Sequence, residues 1–179
     1  EAQANGISTV YQEVNLCPNL SVAENLYIGR EPLTKLGTVN RKAMNRQAAA
    51  LMKQLELDVD VTRNLEEYSL ALQQMIAIAR AVDMDCKVLI LDEPTAALDP
   101  LSEFEIYSHF DQIVGDKTAV YISHRLSSCR FCSDILVFDE GRLIQRGSHD
   151  QLVADRLGRY YELWHAQAQY YDTAAERKA

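Results

Sequence analysis

The sequence predicts an α/β fold with a parallel sheet and an antiparallel flank. Short apolar runs typical of strands occur near the start, in the middle and in the later part of the chain. A mainly helical block, residues 16–82, separates the first run from the second, and a further helical pattern separates the second from the third. Alternation of strands and helices favours parallel pairing, whereas a predicted hairpin late in the chain supplies the antiparallel flank.

The first third of the chain predicts one strand and two helices. Residues 7–11 are rich in β-branched and aromatic side chains, so they predict a short strand. Ser21 and Glu24 form a capping-box pattern that begins a helix. A polar loop follows over residues 29–38, and residues 41–57 carry apolar side chains three or four positions apart, which predicts a second helix.

The middle of the chain predicts a helix and then a strand that ends in two acids. Ser69 is expected to cap a helix that runs to about Val82. Residues 88–91 are apolar and deliver Asp92 and Glu93 to the end of a strand. Such a pair suits nucleotide hydrolysis, because one carboxylate can hold Mg²⁺ while its neighbour polarises the attacking water. The alternative is a buried strand that simply ends in an acidic turn.

The last part of the chain predicts a helix, two strand regions and a closing helix. Asp99 as cap and Pro100 as first helical residue begin a helix that ends near residue 114. Residues 118–123 predict a strand, and residues 134–145 predict a hairpin. A second capping box and the closing helix follow at Ser148, Gln151 and 157–169. We expect four side chains of the closing helix to dock on the core, and the alternative is a surface for a partner. They are Tyr160, Tyr161, Leu163 and Trp164.

Composition limits the class of protein. A chain of 179 residues, 47% of them hydrophobic, is long enough for one domain with a sizeable core. The net charge of −8 and the lack of a recognised basic stripe make nucleic acid an unexpected partner. We find no apolar run long enough to span a bilayer and no signal peptide, so we expect a cytoplasmic chain that meets the membrane through a partner.

The four cysteines do not predict a disulfide framework. Cys129 and Cys132 have the spacing of a zinc or redox pair, but a second pair is lacking. Cys17 and Cys86 lie singly on other predicted elements. Reduced thiols on a helix face are therefore favoured over a metal site.

Four segments, in order, resemble the motifs of the ATP-binding cassette (ABC) ATPases. Residues 9–13 resemble the Q-loop, 68–74 the signature motif, 88–99 the Walker B strand and D-loop, and 119–125 the H-loop. The resemblance implies a partial P-loop NTPase core of the ABC type with an inserted helical subdomain. It also implies the cofactors ATP and Mg²⁺.

The resemblance predicts a partial ABC nucleotide-binding domain over residues 1–179. Within it, residues 16–82 are expected to form the helical subdomain, and 83–171 the Walker B and H-loop core with the C-terminal helix. Residues 1 to about 99 resemble sugar-importer ATPase subunits, whereas about 92–171 resemble exporter-type nucleotide-binding domains. A recombinant, a designed chimera or a misjoined sequence is the hypothesis that follows, and import and export both stay open.

The family's head-to-tail dimer implies roles for individual residues. Asp92 would ligate Mg²⁺ directly or through water, Glu93 would be the general base, and His124 would hold the γ-phosphate and the water in line. Gln12 would sense Mg²⁺ and the γ-phosphate. The remaining residues implied in nucleotide binding are Ser69, Leu70, Ala71 and Asp99.

Two departures from the family lower the expected activity. Leu70 and Ala71 replace the glycines of the signature, and Leu72 replaces its glutamine, which weakens the expected contact with ATP across the dimer. The sequence contains no GxxxxGK[ST] loop for the β- and γ-phosphates. We therefore expect the chain to begin after that loop, to bind ATP poorly and to fold only partly when isolated.

The leading hypothesis is the ATP-binding and ATP-hydrolysing domain of an ABC transporter that imports a sugar. The alternatives are a non-catalytic fragment or chimeric pseudo-subunit, and an exporter-type ABC ATPase. An ABC-type ATPase of DNA repair or chromosome organisation is disfavoured, because coiled-coil heptads and a basic face are lacking. The implied partners are a transmembrane permease domain and a second nucleotide-binding domain, at the cytoplasmic side of the inner or plasma membrane.

Overall fold

The computed structural model describes residues 5–10, 16–84, 86–95, 98–99, 103, 106–107, 109–110 and 113–176, with side chains up to 168. The chain divides into two compact units, Glu1–Ile122 and Ser123–Ala179. The first unit contains β1 (Ile7–Val10), α1 (Val22–Tyr27), α2 (Arg41–Gln54), a 3-10 turn (Leu65–Glu67), α3 (Leu70–Asp83), β2 (Val88–Asp92) and β3 (Thr118–Ile122). The second contains α4 (Leu126–Cys129), β4 (Ile135–Asp139), β5 (Arg142–Gly147), α5 (His149–Ala154) and α6 (Arg159–Glu176).

The sheet of the first unit is parallel, as predicted. Its strand order is β1-β2-β3, so β2 lies in the centre and pairs in register with both neighbours. Leu89 and Leu91 are completely buried on one face of β2. The described residues between 103 and 114, which we call the 103–114 segment, are helical and also contribute to this core. The α/β class is confirmed.

The helical part of the first unit follows the predicted caps. Ser21 and Glu24 form the capping box at α1, and Ser69 caps α3. Helix α2 ends at Gln54, earlier than predicted, because Glu56 adopts a left-handed φ of +56°. The Leu57 N–H then donates to the Met52 carbonyl at 2.9 Å, which is the bond of a Schellman motif.

The second unit contains the predicted antiparallel pair. Strands β4 and β5 are joined by a two-residue turn, Glu140 and Gly141, and both residues have positive φ, as a type I′ turn requires. Helix α6 begins at Arg159 rather than at Leu157, because Leu157 lies in a fully exposed turn before it.

The docking prediction for α6 holds only in part. Tyr160 is buried in the second core, and Trp164 packs against that core. Leu163, by contrast, is exposed at 36%, although it lies only three positions after Tyr160. Cys129 ends α4, whereas Cys132 lies after the helix, so the expected helix-face placement is correct only for Cys129. Both thiols pack against this core, and burial raises the pKa of Cys129 to about 11. Both are free cysteines.

Candidate functional site

The candidate site is centred on the carboxyl end of the central strand, β2. Alternation along β2 buries Leu89 and Leu91, and Asp92 and Glu93 follow as half-buried side chains. Asp92 lies opposite Ile122 of β3 in the parallel register. The Glu93 N–H donates to the Ile122 carbonyl at 2.9 Å, so the backbone of the second acid is tied to the neighbouring strand.

Glu93 has an unusual backbone conformation. Its φ is +46°, in the left-handed region that favours glycine. A non-glycine residue in this region costs about 1–3 kcal/mol, and such residues cluster at functional sites. Glu93 is therefore a candidate functional residue both from its place in the sequence and from its backbone conformation.

The two carboxylates suit Mg²⁺ better than a softer metal. Carboxylate oxygens are hard donors, and Mg²⁺ is usually held by one or two of them together with water and substrate phosphates. Among the described residues, no cluster of three or more His, Cys, Asp or Glu side chains is arranged to hold a metal. A pair at a strand end is therefore compatible with Mg²⁺ and is a poor zinc site.

A buried polar cluster supports the loop that follows Glu93. The Thr95 hydroxyl donates to the Glu103 carboxylate at 3.1 Å and lies 3.1 Å from the Tyr107 hydroxyl and 3.3 Å from the Tyr121 hydroxyl. Thr95 and Glu103 are both almost completely buried. The Tyr107 and Tyr121 rings also contact edge to face, with centroids 5.6 Å apart. We call these four residues the Thr95 cluster.

The Thr95 cluster was missed by the sequence reasoning, although one signal for it exists. Glu103 shares a helical spacing with Ile106, Tyr107 and Phe110, so an acid falls on an otherwise apolar face. A charged residue on such a face is rarely buried without partners. The Glu103 carboxylate accepts from Thr95 in the loop after β2, and the Thr95 hydroxyl also lies beside Tyr121 of β3, which is 26 positions away.

The other described residues predicted at the site in the first unit lie before the 103–114 segment and at the start of α3. Asp99 is exposed, and its carbonyl accepts from the Glu103 N–H at 2.9 Å, as expected for a helix cap. Ser69 and Leu70 are exposed at the start of α3, whereas Ala71 is buried. The Ser69 hydroxyl accepts from the Leu72 N–H at 3.3 Å. Gln12 lies outside the described residues.

His124 lies in the second unit, in the turn that begins that unit, and its side chain is exposed. The side chain of Gln167 in α6 makes two hydrogen bonds to the backbone of this turn. Its amide donates to the His124 carbonyl at 2.7 Å, and its oxygen accepts from the Leu126 N–H at 3.0 Å. The sequence reasoning missed this contact, because 43 positions separate the two residues.

Comparison with known proteins identifies the family. The family profile described as ABC transporter matches residues 1–96, which is more than half of the chain. The chain belongs to the ABC transporter family. It is thus an ABC ATP-binding domain by sequence as well as by the order of its motifs.

Several relatives of this ABC domain are ATP-binding proteins of sugar transporters. The galactofuranose transporter ATP-binding protein of Escherichia coli is 44% identical over 80% of this chain. The ribose import ATP-binding protein of Geobacillus kaustophilus is 39% identical over 89% of it, and that of Caldanaerobacter subterraneus is 34% identical over 88%. The chain spans about a third of the length of these curated relatives, 29%, 34% and 32% respectively.

A solved structure confirms the fold of the ABC domain. A bacterial Atm1-family ABC exporter with ATP bound is similar with a TM-score of 0.62 and 29% sequence identity. The similarity covers 92% of this chain and 29% of the exporter chain. Importer and exporter likenesses, both expected from the sequence, are thus both found among known proteins. Over the described residues, no helix combines the length and apolarity needed to cross a bilayer.

Proposed function

We propose that this ABC domain binds and hydrolyses ATP within a transporter that imports a sugar. The observation that supports it most is the pair Asp92 and Glu93, half-buried at the end of the central parallel strand. The left-handed backbone of Glu93 adds support, since strain of this kind is retained where function needs it. The sugar follows from the names of the importer relatives.

The proposed chemistry assigns one role to each residue of the pair. Asp92 would hold Mg²⁺, directly or through a water, and bound Mg²⁺ would neutralise charge on the phosphates of ATP. Glu93 would accept a proton from the attacking water as general base. His124 would keep the γ-phosphate and that water in line, while Gln12 would link the site to the helical block. The Thr95 cluster would fix the loop that positions Glu93.

A second copy of the domain would complete the site. The start of α3, with Ser69, Leu70 and Ala71, would face the ATP held by the partner domain, and the N-terminal amides of the helix favour a phosphate. Asp99 would reach across the same interface. Leucine and alanine at the signature glycines limit how closely this backbone approaches ATP, which favours a weakened site.

Two other functions are each favoured by one observation. The altered signature favours a non-catalytic or pseudo-subunit role, because ATP contact across the dimer would be weakened. The likeness to an Atm1-family exporter over most of the chain favours an exporter-type ATPase. In each case we propose that the partner is a transmembrane permease domain and that the ABC domain lies at the cytoplasmic side of the membrane. We also propose that residues 16–82 form a helical subdomain.

Hydrolysis should be measured with matched variants. The chain would be assayed as printed and with the P-loop segment of a related sugar-importer subunit added at its N-terminus. We expect Mg²⁺-dependent hydrolysis in the extended protein, and a loss of about 10²–10⁴-fold in Glu93→Gln, the usual contribution of a general base. Glu140→Gln, on an exposed turn, is the control. ATP binding without hydrolysis in every version would favour the non-catalytic role.

A further inference from the structure

The loop between α1 and α2 is a closed hairpin with exposed apolar side chains. Leu33 and Val39 form an antiparallel bridge, and the Thr34 N–H donates to the Thr38 carbonyl at 2.8 Å. The two threonine hydroxyls are also 2.8 Å apart. At the tip, Leu36 is 91% exposed. We call residues 28–39 the apolar hairpin, and its exposed apolar members are Ile28, Leu33, Leu36 and Val39.

Helix α2, which follows the hairpin, carries basic side chains and no acid. Lys42, Arg46 and Lys53 are spaced by four and seven positions, so they lie along one face of the helix, and all three are exposed. Together with Lys35 in the hairpin we call them the basic stripe. Over the part of the chain that the structure describes, none of these four cations forms an ion pair.

Charge is strongly segregated in this region. Residues 30–54 contain six of the 18 Lys and Arg residues but only one of the 26 Asp and Glu residues. The expectation that the chain has no basic stripe was therefore wrong, because a net charge of −8 describes the sum and not its distribution. Residues 30–54 are therefore a local run of positive charge in an acidic chain.

We propose that the apolar hairpin and the basic stripe bind the surface of an anionic lipid bilayer directly. Amphipathic surfaces of this kind place apolar side chains at the headgroup boundary while cations contact lipid phosphates. A phosphate backbone of nucleic acid would leave Leu33 and Leu36 in water. A protein partner would need a cavity for a convex tip, whereas a bilayer accepts one. The proposal is independent of nucleotide hydrolysis.

Sedimentation with lipid vesicles tests this inference on the chain as it is. We expect binding to vesicles of phosphatidylcholine mixed with phosphatidylglycerol and little binding to phosphatidylcholine alone. Binding should weaken as salt is raised, because surface charges are screened. No binding to the anionic vesicles, or equal binding to both compositions, would overturn the proposal.

Matched double variants locate the contact. Lys35→Gln with Leu36→Ser should reduce partitioning at least tenfold, because each basic side chain contributes about fivefold and the apolar contact is lost as well. The control is Arg156→Gln with Leu157→Ser, an exposed basic residue and leucine in the second unit. All four side chains are exposed, so both variants should keep the circular dichroism of the parent. Equal losses in the two variants would contradict the assignment.

A fluorescent reporter separates insertion from simple adsorption. Leu36→Trp should shift its emission to shorter wavelength on addition of anionic vesicles and should be quenched by brominated lipids, after subtraction of the signal from Trp164. An unshifted emission with bound protein would overturn insertion of the hairpin. Binding to an acidic peptide but not to vesicles would show that the surface serves a protein partner, and the bilayer proposal would be wrong.

Discussion

The end of β2 and the start of α3 carry two parts of the proposed nucleotide chemistry, and their polar groups are held differently. After β2, the Thr95 hydroxyl lies within 3.3 Å of three buried or half-buried partners. At α3, the Ser69 hydroxyl accepts one long bond, from the Leu72 N–H at 3.3 Å. Further along α3, Gln74 is buried, and its Oε1 atom has no hydrogen-bond partner among the described residues.

Buried polar groups are well hydrogen-bonded after β2 and less completely bonded at the start of α3. Buried polar groups with partners specify one local arrangement, whereas a buried amide oxygen without a partner destabilises its surroundings. The acids Asp92 and Glu93 adjoin the well-bonded cluster, and the altered signature adjoins the poorly bonded amide. We therefore expect loss of the Thr95 hydroxyl and loss of the Gln74 amide to change stability in opposite directions.

The largest effect is expected for Thr95→Val, which removes the central hydroxyl but keeps the shape of the side chain. The Glu103 carboxylate would lose a buried donor, so the free energy of unfolding should fall by about 2 kcal/mol. Urea denaturation measures the change. Thr118→Val is the control, because Thr118 is exposed on β3 and its change should be near zero. Equal effects at both positions would mean that the Thr95 cluster contributes little.

Gln74→Met should have the opposite sign. It replaces an amide with an unsatisfied buried oxygen by an apolar side chain of similar volume, so unfolding should cost about 1 kcal/mol more. The neighbouring Gln73 donates to the Tyr68 carbonyl at 2.8 Å. Gln73→Met should therefore lower stability, and the two midpoints in urea should move apart. A destabilised Gln74→Met protein would mean that the buried amide has a partner in solution.

Glu93→Gly tests whether the backbone at the proposed catalytic end of β2 is strained. Removing the Cβ atom at φ +46° should raise stability by about 0.5–1 kcal/mol, after subtraction of the cost of the greater conformational entropy that glycine gives the unfolded chain. Glu140 has the same φ of +46°, so Glu140→Gly is the matched control. Thermal unfolding should show a gain for both, whereas hydrolysis by the extended protein should be lost only in Glu93→Gly.

The smallest effect is expected for Ser69→Ala, at about 0.5 kcal/mol, because a single long capping bond is removed. Ser21→Ala should cost more, about 1 kcal/mol. The Ser21 hydroxyl accepts from the Glu24 N–H, and the Glu24 carboxylate accepts from the Ser21 N–H at 3.0 Å. Unfolding by urea compares the two caps. A larger loss of unfolding free energy in Ser69→Ala than in Ser21→Ala would contradict the view that the cap of α3 is the weaker one.

Local patterns predicted most of the elements, because caps and turns depend on neighbours in sequence. The serines at α1, α3 and α5 cap their helices as expected. The end of α2 was predicted late, since nothing in the sequence marks Glu56 as left-handed. Basic residues spaced along α2 were visible in the sequence, yet the total charge concealed them.

The sequence by itself determined the α/β class, the family and the acids Asp92 and Glu93 at a strand end, because periodicity and motif order are local properties of the chain. Tertiary structure decided what surrounds them. The partners of Thr95 come from residues 8, 12 and 26 positions away, and those of His124 from 43 positions away. Such contacts depend on which strand lies beside which, and that choice is made by packing of the whole core.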